Sequence, residues 1–172
     1  MEKPIVALIK NPEPPDAQRI AEMLDEAMEL LGGMDQIVHP GDYVVIKANF
    51  FAPYPPPVSV DRRVAAALIR ALRRAGASRV VLCEAVSIGT RLGRGTTTAA
   101  VIDGLGIREA AEAAGGEVLC LEDDDRVRVE VPNARSIGWV DYPRCMRDCD
   151  VLISLPCMKT HTMTMVSLGI KN

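Results

Sequence analysis

Short apolar runs that stop at a polar residue, separated by stretches with helical spacing, constrain this chain more than any other feature. Tyr43-Val-Val-Ile46 ends at Lys47 and Asn49, and Arg79-Val-Val-Leu-Cys83 ends at Glu84. Val151 to Leu155 is stopped by Pro156 and opens on Lys159, Thr160, His161, Thr162 and Thr164. Pro4 to Ile9, followed by Lys10-Asn11, and Glu117 to Leu121 repeat the pattern. Runs that are apolar at nearly every position suit strands buried on both faces, the condition of a parallel sheet.

The intervening segments read as helices. Asp16 is a good N-cap, after which Ile20, Leu24, Ala27, Met28 and Leu31 recur at helical spacing until Gly32-Gly33. Asp61 opens a second helix with Val64, Leu68, Ile69 and Leu72 inward and Gly76 at its end; a third runs around Ile107 to Ala114. Strands alternating with helices predict an α/β fold, a mainly parallel Rossmann-like open sheet flanked by helices. One segment breaks the pattern. Arg126 to Val131 alternates apolar and charged residues, Pro132 to Arg135 turns the chain, and Ser136 to Val140 supplies a second arm. This is an inserted β-hairpin over residues 126–140, at the edge of the sheet or on top of it, with Trp139 packed in it or covering a site. Pro143 then opens a short helix to Asp150. The whole of 1–172 is expected to be a single α/β domain.

Several function classes are excluded or disfavoured. A net charge of −3 is wrong for a dedicated nucleic-acid binder, and Arg63, Arg70 and Arg74 read as a solvated helix face. No apolar run approaches the roughly 18 residues of a membrane helix. No signal peptide is visible, so a cytoplasmic location is expected. Five cysteines, at 83, 120, 145, 149 and 157, form no disulfide framework. Their closest cluster, C-x3-C-x7-C-x3-H ending at His161, matches neither zinc nor ferredoxin spacings, so no metal site is assigned. Asp123-Asp124-Asp125 lacks the spacing of a calcium loop and reads as a solvated turn. Pro53 and Pro55 to Pro57 make a stiff surface loop. Gly89 to Thr98 reads as a connector, with an anion-cradling lid as the alternative.

In a parallel sheet the strand C-termini share one rim. That rim collects Lys10, Asn11, Lys47, Asn49, Glu84, Lys159, Thr160 and His161. Lysines with Asn and Thr donors suit an oxyanion, a carboxylate or phosphate, so an anionic small molecule is the expected partner. His161 suits proton transfer near neutral pH, and Glu84 would orient it or hold Lys159 charged. The competing interpretation is a rim salt bridge between Lys159 and Glu84, with His161 exposed.

Lys47-Ala-Asn49 after a buried strand, Asp61 opening a helix, and Leu-Pro-x-x-Lys159-Thr160-His161 followed by Lys171-Asn172 resemble the domain of unknown function 362 family. The resemblance spans nearly the whole chain. Ala48 stands where the family usually has proline, and Cys157 where it more often has lysine. The resemblance implies a bacterial or archaeal protein linked to redox metabolism, with a [4Fe–4S] cluster in a separate ferredoxin-like domain or partner and none held by this chain. It also implies continuation beyond the Lys-Asn pair, with 163–172 read as a helix or strand. Two functions follow as expectations. In the first, an enzyme domain uses Lys47, Asn49, Thr160, Lys171 and Asn172 to hold the anion, with Lys159, His161 and Glu84 nearest the chemistry. In the second, a non-catalytic domain docks on an iron–sulfur protein. A mononuclear metal site of His161, Glu84 and Cys157 ranks third.

Overall fold

The computed structural model describes residues 4–50, 52–85, 96–161 and 164–172. Helix α1 (Ala17–Leu30) is capped by Asp16, whose carboxylate accepts the Arg19 N–H. Strand β1 (Tyr43–Lys47) leads through the proline loop to α2 (Arg62–Arg74), capped by Asp61, and then to β2 (Arg79–Glu84). Two short helices follow, α3 (Thr98–Gly104) and α4 (Ile107–Ala113), before β3 (Glu117–Cys120). The hairpin strands β4 (Arg126–Glu130) and β5 (Trp139–Pro143) run into α5 (Arg144–Asp148) and β6 (Val151–Ser154). The chain ends in a small ribbon, β7 (Lys159–His161) and β8 (Met165–Ser167).

Among the described residues, β3-β2-β1-β6 form one sheet in that order, every pairing parallel. The expected parallel α/β sheet flanked by helices is therefore present. Strand alternation divides its core in two. Val44, Ile46, Val80, Leu82 and Cys120 face α2, α3 and α4, where Ile69, Leu72, Ile102 and Ile107 are fully buried. Val45, Val81 and Cys83 face the other way, onto Leu121 and Cys145 at α5. Helix α1 packs on α2.

Two expectations need correction. Residues 4–9 form no strand: among the described residues they have no ladder partner, and Ile5, Val6 and Leu8 are 76%, 83% and 88% exposed. Their apolar sequence meets the local condition for a strand, but a strand exists only where another lends it hydrogen bonds. Lys10 and Asn11 accordingly do not reach the rim; Asn11 accepts a bond from Arg19 on α1 instead. The second hairpin arm is 139–143, not 136–140, because the ladder pairs Arg126 with Pro143 and Glu130 with Trp139. A wider turn absorbs 131–138, with Asn133 at φ 56° and Val131 N–H bonded to the Gly138 carbonyl. The hairpin is a separate two-stranded sheet that docks on α5, and half-exposed Trp139 lies under the Arg128 guanidinium at 3.7 Å. The acidic segment is the expected turn, with Asp123 and Asp125 exposed. Asp124 accepts the Cys145 N–H at the start of α5. Residues 89–95 of the glycine-rich stretch lie outside the described residues, as does Thr162; Thr97 caps α3.

Candidate functional site

Strand order reverses between β1 and β6. The chain steps from β1 outward through β2 to β3, then returns to the other side of β1. Open α/β sheets bind ligands outside the strand C-termini at such a reversal. The last residues of β1 and β6, Lys47 and Ser154, are paired in register, so both strands open on the crevice at one level.

Four of the expected site residues meet there in one hydrogen-bonded network that ends on a fifth. Asn172 donates to the Lys47 carbonyl (2.7 Å) and to Ser154 Oγ (3.1 Å), tying β1 to β6 across the crevice. Asn49, buried just past β1, donates to Asn172 Oδ1 (3.3 Å) and accepts from Lys159 Nζ (2.5 Å). Lys159 also donates to the Val58 carbonyl of the proline loop. Lys47 Nζ meets Glu84 Oε1 at 2.5 Å, and both side chains are largely buried. Glu84 further accepts the N–H groups of Phe50 (2.9 Å) and Ala85 (2.8 Å). A carboxylate bound to one ammonium and two amides is fully committed. It holds Lys47 and the Phe50 turn, in place of orienting His161 or pairing with Lys159.

The remaining residues sit around this network. Lys159 and His161 are two apart on β7 and share a face, while Thr160 points to the other side and is exposed. His161 Nδ1 accepts the Thr164 N–H at 3.3 Å. Lys171 is exposed but near enough to act on Lys159. Burial pushes the Lys159 ammonium below its ordinary value of 10.5, and the Lys171 charge pushes the same way; Cys157 and Glu84 oppose the shift. Burial raises the Cys157 thiol, with Lys159 opposing. Among the described residues no group of three or more His, Cys, Asp or Glu side chains is placed to hold a metal ion. Among the same residues no helix is long and apolar enough to cross a membrane.

This arrangement, a Lys-x-Asn strand end joined to a Lys-Thr-His ribbon by a Lys-Asn pair, runs through the region matched by one family model. The domain of unknown function (DUF362) model matches residues 44–172. The chain belongs to the DUF362 family. No curated protein and no solved structure matches it.

Two participants of the network in this DUF362 chain go beyond the residues the sequence points to. Ser154 carries a signal, since it ends a strand as Lys47 does. The Val58 carbonyl carries none, because a main-chain acceptor depends on how the proline loop folds back.

Proposed function

We propose that this DUF362 domain binds an anionic metabolite at the β1–β6 rim. The observation that carries the reading is the convergence of Lys47, Asn49, Lys159 and Asn172 on one crevice. Lys47 is paired with Glu84, and Lys159, held by Asn49 and the Val58 carbonyl, is desolvated and feels the Lys171 charge, with Cys157 and Glu84 opposing. An oxyanion between the two ammonium groups relieves that repulsion and adds charge-assisted hydrogen bonds. Asn49 and Asn172 fix the position of Lys159 and the crevice, and Glu84 positions Lys47. His161, two residues from Lys159 on the same face of β7, is the proton carrier if the bound metabolite reacts. Thr160 lies on the opposite face of the ribbon and is left to surface contacts. The compartment that suits five free cysteines is the cytoplasm.

The test is calorimetric titration with inorganic phosphate. Lys159→Ala is expected to weaken binding at least tenfold and Lys171→Ala several-fold, with melting temperatures within a few degrees of the parent. Equal affinity in all three proteins would refute the reading. Sulfate supplies a pH readout because its own charge stays constant. The anion needs charged Lys159, so affinity is full below the lowered Lys159 value and is lost as pH rises through it. The loss is therefore expected at a lower pH than an ordinary lysine would give.

A second reading has its own support. Met158, Met165, Leu168 and Ile170 are exposed around the same rim, an apolar surface suited to a protein partner. A ferredoxin-like [4Fe–4S] protein or domain is the partner that fits a redox role. Titrating such a ferredoxin into protein labelled at its Met methyl groups should shift Met158 and Met165 selectively. Unchanged spectra would remove this reading.

A further inference from the structure

Ser167, the last residue of β8, stands directly opposite Lys159 in the antiparallel ladder. Residues so opposed project from the same face, with Cβ atoms about 4.5–5.5 Å apart. The Lys159 side chain leaves that face towards Asn49 and the Val58 carbonyl, so Ser167 Oγ lies on the site side of the ribbon. Ser167 is 1% exposed, and among the described residues its Oγ is the one buried side-chain polar atom without a hydrogen-bond partner. The other polar side chains of the candidate site, Asn49, Asn172, Ser154, Glu84 and Lys47, are all bonded. A buried hydroxyl left unpaired is a net cost to folding, so an orphan beside a candidate site calls for a partner.

We propose that Ser167 is a ligand-binding residue of this site, its hydroxyl donating to the oxyanion that Lys159 and Lys171 hold. The inference rests on the anion-binding reading above. One hydroxyl beside ammonium donors fits an anion that offers two or more acceptor oxygens on one centre, a carboxylate or a phosphate. Lys159 and the hydroxyl leave the same face of the ribbon, so the two can act on one ligand.

Ser167→Ala separates this role from a structural one, because removing an unpaired buried hydroxyl should not weaken the empty fold. The expected result is an unchanged or slightly raised melting temperature without ligand, and affinity for inorganic phosphate lowered about tenfold. A melting temperature several degrees lower would show that the hydroxyl has a partner inside the fold, and would overturn the inference. Undiminished phosphate affinity in Ser167→Ala, with binding lost in Lys159→Ala, would overturn it while sparing the anion site. No phosphate binding by the parent protein, or binding undiminished in Lys159→Ala, would overturn both.

Discussion

Glu84 shows how a residue's role depends on what surrounds it. The sequence places a carboxylate at the end of a buried strand, and that much is legible. Its partner is not: the strand ends offer Lys159 and His161, and nothing in them points to Lys47. Register decides the matter: Lys47 pairs with Cys83, next to Glu84 on the adjacent strand, and the ion pair forms within the sheet rim. Glu84→Ala would leave Lys47 charged and unpaired in a largely buried position, and would strip the acceptor from the Phe50 and Ala85 amides. Breaking one side of a buried pair costs about 3–5 kcal/mol. Chemical denaturation of Glu84→Ala should show a loss of that order; a loss below about 1 kcal/mol would mean the pair is effectively solvated. Asn49 and Asn172 follow the same logic. Each was legible as polar, but only contact between residues more than a hundred positions apart shows that they hold one another.

Elements whose signals are local were readable. Asp16 and Asp61 cap the helices they were expected to cap, and the apolar runs at 43–46 and 80–83 lie in the two central strands. Elements that depend on a distant partner were not. Residues 4–9 have the composition of a strand and no ladder, whereas Lys159 to His161, which read as a polar loop, pairs with Met165 to Ser167. Hydrogen bonding between strands is a long-range property, and six apolar residues do not encode where their neighbour lies. Removing residues 1–9 is therefore expected to change the melting temperature by no more than about 2 °C, since the exposed Ile5, Val6 and Leu8 bury little apolar area. A drop of 8 °C or more in thermal unfolding would show that the segment contributes to the core.

At the scale of the whole molecule, the reversal of strand order decides where chemistry can collect. The sequence shows alternating strands and helices, but strand order is not written in them. Placement of β6 beside β1, beyond the edge of the β1-β2-β3 series, creates the crevice, and the C-terminal ribbon brings Lys159 and Ser167 to it. The rim expected from four strand ends thus becomes a site built on β1, β2 and β6, closed by Asn172. The proposed oxyanion sits between Lys159 and Lys171, and crystals equilibrated with millimolar selenate, a tetrahedral oxyanion with an anomalous signal, would reveal it. An anomalous peak is expected within hydrogen-bond distance of Lys159 Nζ and Ser167 Oγ, absent from Lys159→Ala crystals. Selenate found only elsewhere on the surface, or nowhere, would rule the site out.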